Sequence, residues 1–165
     1  MLLTRRFVLA AAPAFLLGAC SAAGVSVPGG ATSVAALSTA TVTAEVNATR
    51  KHYGAPELRY NPTLAAQART QASLMAARGE ISHTLGGTLH DRTIAAGYEG
   101  ATGENLAEGQ KTLEAVIGDW LKSPGHRETL LNRRFVEFGL AAATGSNGRA
   151  YWAFIAGGPF ENWRR

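Results

Sequence analysis

Residues 112–156 read TLEAVIGDWLKSPGHRETLLNRRFVEFGLAAATGSNGRAYWAFIA. Leu113, Val116, Ile117, Trp120 and Leu121 recur at i, i+3, i+4, i+7 and i+8, the spacing of one helix face, and Thr112 opens that helix. Ser123-Pro124 supplies a cap and a first-turn proline, which predicts a second, short helix to Leu131. Two strands are expected next, Val136–Ala143 and Arg149–Ala156, joined by the turn-forming run Thr144-Gly145-Ser146-Asn147-Gly148. Helices that run into an antiparallel hairpin predict an α+β domain.

The upstream half is helical by the same reasoning. Val42, Val46, Thr49 and Tyr53 share one face of a helix that Gly54 can end. Asn61-Pro62 is a cap followed by a proline at the first helical position. Leu64, Ala68, Ala72, Met75 and Ala76 form the stripe of that helix, and Gly79 stops it. The small alanines imply close packing against a neighbour. Asp91 is expected to cap a short helix through Ala96, ended by Gly97.

The 165 residues are 46% hydrophobic and 17% charged, enough to build a core and too apolar for wholesale disorder. Arg5 and Arg6 precede an uncharged run from Phe7 to Gly18, too short for a membrane span of about 20 residues. It matches the apolar region of an export signal behind a basic start, and Thr4-Arg5-Arg6-Phe7-Val8-Leu9 resembles a twin-arginine signal. The run ends Leu17-Gly18-Ala19-Cys20, which resembles a bacterial lipobox, so Cys20 is the expected lipidation site. Ser21 after it favours the outer membrane over the inner, by resemblance to enterobacterial sorting. Residues 1–19 are thus an address and 20–38 an uncharged tether, reaching on the order of 25 Å. Residues 39–165 are the domain, held in the envelope facing the periplasm and joined to the membrane through lipid.

The single cysteine excludes an intrachain disulfide framework and a cysteine-rich zinc site. The formal charge of +4 falls to +2 once Arg5 and Arg6 leave with the signal. No basic-aromatic motif supports a nucleic-acid partner. Among four histidines there is no HExxH, and the chain has no phosphate-binding loop, nucleophile elbow or dinucleotide fingerprint. What stands out is His83 after a helix end, Glu104 in Gly103-Glu104-Asn105-Leu106, read as a loop, and His126. His126 takes the third position of the Ser123 helix, where the dipole favours a neutral ring. The three are spaced too widely for a local metal motif. His52 and His90 are expected to be exposed, and Trp120, Trp152 and Phe154 to be core.

Taken in order, these segments resemble the CAP superfamily of cysteine-rich secretory, antigen 5 and pathogenesis-related proteins, and most closely its bacterial branch. The matching pieces include Leu58-Arg59-Tyr60-Asn61, Ser82-His83, Asp91-Arg92, Ala96-Gly97-Tyr98, Gly103-Glu104-Asn105-Leu106, Trp120 through Arg127, Phe138-Gly139-Leu140 and Tyr151-Trp152. The resemblance implies a three-layer α-β-α sandwich with a small antiparallel central sheet, and a cleft carrying two His and two Glu. His83 and Glu104 match its first His and the Glu of its Gly-Glu-Asn motif. His126 belongs to the bacterial Ser-Pro-Gly-His-Arg variant, and Glu137 and Glu108 are the candidates for the second Glu. The Gly-His-Tyr-Thr-Gln motif and disulfides of eukaryotic members are absent, which weakens transfer of their activities. Arg127, Asp91 and Arg92 are expected to brace the cleft, and Asn105 to hold the Glu104 segment.

The resemblance implies a binding module whose His83, Glu104, Asn105 and His126 anchor a lipid, a cell-wall fragment or a divalent metal. An alternative is a hydrolase acting on peptide or cell-wall substrates. There Glu104 is the general base and His83 and His126 polarise the substrate or hold, with Glu104, a zinc or other divalent ion. A third reading is a partner-binding envelope protein with a relic cleft.

Overall fold

The computed structural model describes residues 33–164. Cys20, the expected export signal and the first part of the expected tether lie outside them. Five helices and four strands follow in the order α1 (Thr39–His52), β1 (Arg59–Tyr60), α2 (Pro62–Arg78), α3 (Leu89–Ala95), β2 (Ala101–Glu108), α4 (Leu113–Lys122), α5 (Pro124–Leu131), β3 (Glu137–Thr144) and β4 (Ala150–Gly158). The strands form one sheet in the order β1-β3-β4-β2. Its central part is antiparallel as expected; the two-residue β1 adds a parallel edge beside β3. No helix among the described residues is long and apolar enough to cross a membrane.

Local signals set the helix ends. Ser38 and Thr41 form a reciprocal capping box at the start of α1. The Asn61 side chain accepts from Thr63 and Leu64 N–H ahead of Pro62, and Gly79 closes α2 in the left-handed conformation. α3 departs from expectation: Thr88, not Asp91, is its cap, and Asp91 instead accepts a hydrogen bond from the Thr88 hydroxyl.

The sheet is covered on both faces. On one, Leu64, Ala68, Ala72 and Met75 of α2 pack against Leu106, Ala141, Tyr151, Ala153 and Ile155. On the other, Val42 and Val46 of α1, Leu113, Val116, Ile117 and Trp120 of α4, and Leu130 of α5 meet Phe138, Leu140, Trp152 and Phe154. Both expected core tryptophans are buried. Arg50, unforeseen from sequence, is also fully buried and donates to the carbonyls of Pro56, Leu130 and Asn132, tying α1 to the end of α5. The last residues of the stretch read as a tether lie on the domain. Ser33 bridges to Thr112, and Val34 and Leu37 pack against the core.

The alanine stripe brings α2 unusually close to the sheet at Gly139, where an added Cβ would stand 2.1 Å from the Ala65 nitrogen. Backbone on both sides leaves no flexible group to yield. Gly139→Ala is expected to destabilise the fold by about 3 kcal/mol in urea unfolding. Gly118, inside α4 with open space around it, should behave oppositely: Gly118→Ala gains about 0.5–1 kcal/mol.

Candidate functional site

Glu104 sits on strand β2, not in a loop. Period-2 alternation sends Leu106 to the α2 face and Ala107 to the α1/α4/α5 face, so Glu104 shares the α2 face and Asn105 the opposite one. A carboxylate on a face packed under helices needs a counter-charge, and α3 supplies Arg92. Its Nη2 lies 2.9 Å from Oε2 and 3.1 Å from Oε1 of Glu104, whose side chain is 2% exposed. Arg92 Nε donates to Gly87 O and Nη2 also to His83 O. One guanidinium thereby holds both the carboxylate and the loop that carries His83. The turn in that loop is made by Gly86 and Gly87, both at positive φ.

His83 Nδ1 is 2.9 Å from Glu104 Oε1. The carboxylate accepts, so Nδ1 bears the proton, and the ring, 59% exposed, is left with Nε2 for contact with anything outside. From the other face, buried Asn105 donates through Nδ2 to His126 O at 2.8 Å and fixes the start of α5 against β2. Burial, and then the neighbouring His83, hold the His126 ring below the ordinary histidine pKa. The fold thus gathers His83, Glu104, Asn105 and His126 from separate segments at the outer edge of β2.

The two candidates for a second Glu do not partner these groups. Glu137 accepts from Arg59, Asn61 and Tyr98, and burial together with Glu137 pushes the Tyr98 hydroxyl up to about 12. Glu108 pairs with Arg149 and lies four residues along β2 from Glu104, about 13 Å at the rise of a strand. Arg92 is the brace anticipated; Arg127 instead lies over the Tyr53 ring at 4.4 Å, and exposed Asp91 bonds the Thr88 hydroxyl. Two further supports escaped the sequence reading. Gln67 Nε2 donates to Arg92 O and Gln71 Nε2 to Ser82 O, pinning α3 and the His83 loop to α2. Their signal was two glutamines one helical turn apart beside an alanine stripe.

Zinc needs three or four free donors. Here both Glu104 oxygens face Arg92, one of them also His83, and His83 Nδ1 is taken. Among the described residues no group of three or more His, Cys, Asp or Glu side chains is placed to hold a metal ion. The donor set His83, His126 and Glu104 therefore does not fit a divalent cation as it stands.

Comparison with known proteins agrees with this architecture. Residues 43–156 match CAP, the cysteine-rich secretory protein family. The uncharacterised protein YkwD of Bacillus subtilis is 35% identical over 98 residues, covering 57% of this chain and 38% of that protein, so the chain spans little more than a third of that relative. An outer surface protein of Borrelia burgdorferi superposes with a TM-score of 0.64 at 27% identity, over 73% of this chain and 91% of that one. An extracellular SCP-domain protein of Bacillus anthracis superposes with a TM-score of 0.61 at 27% identity, over 70% of this chain and 39% of that one.

Two outcomes follow from the site geometry. Arg92→Met strands a buried carboxylate and should cost about 3–5 kcal/mol in chemical unfolding, whereas Arg92→Met with Glu104→Leu should recover most of that loss. For His126, the unfolded chain takes up a proton near the ordinary 6.5 while the folded ring resists it to lower pH. Its contribution is intact above about 6.5 and is lost as pH falls below it. Unfolding midpoints measured from pH 7.5 to 5 should decline less in His126→Gln than in the wild type.

Proposed function

We infer that this chain, which belongs to the CAP or cysteine-rich secretory protein family, is an exported envelope protein whose cleft at the β2 edge binds a small ligand with a polar, hydrogen-bonding part. A cell-wall fragment or the head group of a lipid has that character. The observation that carries the reading is the pairing of Glu104 with both Arg92 and His83. It leaves no free carboxylate to act as a base on water, yet presents an oriented imidazole to the outside. Such an arrangement offers a positioned hydrogen-bonding group for recognising a ligand. A divalent ion is set aside as the ligand, since both oxygens of its would-be carboxylate donor already accept from Arg92 and one of them also from His83.

Export is supported by the basic start, the apolar run and the outer-surface and extracellular character of the two similar solved proteins. Lipid anchorage at Cys20 rests on the lipobox-like Leu17-Gly18-Ala19-Cys20. Two or more acyl chains would hold the protein stably, at about 0.8 kcal/mol per buried CH₂. The outer membrane is the favoured destination by the residue after the cysteine.

A hydrolase remains the second reading on one specific ground. His83, with Nδ1 held by a buried carboxylate and its ring exposed, has the arrangement of a general base. Native mass spectrometry of the full chain extracted from the membrane of a producing bacterium separates these readings. The expected result is acyl mass on Cys20, lost in Cys20→Ser, and a co-purifying ligand lost in His83→Ala and His126→Ala with unfolding midpoints unchanged. A ligand retained in both histidine variants would sink the cleft reading. Turnover of peptide or peptidoglycan, abolished by His83→Ala, would make the protein an enzyme.

A further inference from the structure

The main chain of the cleft's floor has a hydrogen-bonding pattern that narrows the ligand class. In β3, Phe138 is turned toward β1, because Asn61 N donates to its carbonyl and Arg59 N to that of Val136. Gly139 and Ala141 consequently bond Ile155 and Ala153 of β4. The alternate β4 residues, Phe154 and Ala156, face β2 and pair with Asn105 and Gly103. The N–H and C=O of Thr102, Glu104 and Leu106 must then point outward from the sheet. Independent confirmation comes from Trp120, whose indole Nε1 donates to Leu106 O at 3.1 Å on that outer side.

Trp120 closes the edge at Leu106. At Thr102 and Glu104 it is open: among the described residues no group hydrogen-bonds to their outward main chain. Glu104 as a residue is partly exposed although its side chain is 2% exposed, so the surface it offers is its backbone. His83 stands on one side of this edge and His126 on the other.

We propose that the outer edge of β2 at Thr102–Glu104 takes an extended peptide by strand addition, with His83 and His126 flanking its alternate side chains. The proposal rests on the cleft being a ligand site and names what that ligand is. Two outward N–H and C=O pairs repeat two residues apart, about 6.8 Å, and the ligand presenting complementary pairs at that repeat is a peptide main chain. An open edge normally invites sheet-to-sheet association. This one is short, stopped by Trp120 and walled by helices on both faces, so it admits a few residues of strand and not another sheet.

Selection of a random decapeptide display library on the full chain tests this. Recovered peptides should slow amide hydrogen exchange of Thr102 and Glu104 by tenfold or more at saturation. N-methylating alternate amides of such a peptide in one phase should weaken binding at least thirtyfold, and in the other phase hardly at all. Thr102→Pro removes one outward N–H without touching the β4 ladder, and should weaken binding about tenfold. Failure to recover any peptide overturns the proposal, as does binding that leaves Thr102 and Glu104 unprotected or ignores the phase of N-methylation. In those cases a non-peptide ligand lost in His83→Ala would still uphold the cleft itself. Loss of that signal as well would overturn both.

Discussion

Everything distinctive about this cleft depends on the burial of one carboxylate. Glu104 lies on a sheet face packed mainly by alanine, leucine, isoleucine, Met75 and Tyr151, where an unpaired negative charge would be costly. Arg92 resolves that cost, and in doing so it fixes what the site can be. Its guanidinium holds Glu104, Gly87 O and His83 O together, so α3, the glycine turn and β2 are joined through a single side chain. Both oxygens of the carboxylate accept from that one guanidinium. The carboxylate has become the fixed acceptor that sets the protonated nitrogen of His83.

Much of the fold was legible in the sequence because it follows periodicity and caps. Asn61-Pro62, the alanine stripe ending at Gly79, the Thr112 helix and the hairpin around Gly145 all appear where local rules put them. β2 was missed for a physical reason. Its run Ala-Thr-Gly-Glu-Asn-Leu-Ala-Glu lacks the apolar alternation of a half-buried strand, since its polar side chains meet partners only tertiary structure provides. β1 has two residues, too few for any pattern. Thr88 displaced Asp91 as the α3 cap, although Asp is intrinsically the better cap, because Thr88 and Asp91 are spaced so that the Thr88 hydroxyl accepts from Asp91 N–H and donates to its carboxylate.

The grouping of the candidate residues was legible in the sequence, but not their wiring. Family motifs gathered His83, Glu104 and His126, and their positions at one strand edge agree. The motifs could not say that Glu104 spends both oxygens on Arg92, nor that Glu137 serves Arg59, Asn61 and Tyr98 instead. Asn105 was expected to steady its own segment. It reaches across to the α5 backbone, a contact that depends on the sheet's other layer.

α5 is held at both of its ends: at its start by Asn105 on His126 O, and at its finish by Arg50 on Leu130 O and Asn132 O. Neither attachment belongs to the helix itself. The wall carrying His126 therefore arrives already ordered, as does His83 through its bond to Glu104. On the proposed function, a ligand entering between them would have little main-chain or imidazole freedom to freeze, so more of its contact energy would survive as affinity. The two histidines are in this way held by separate layers of the fold, one through β2 and the other through α5.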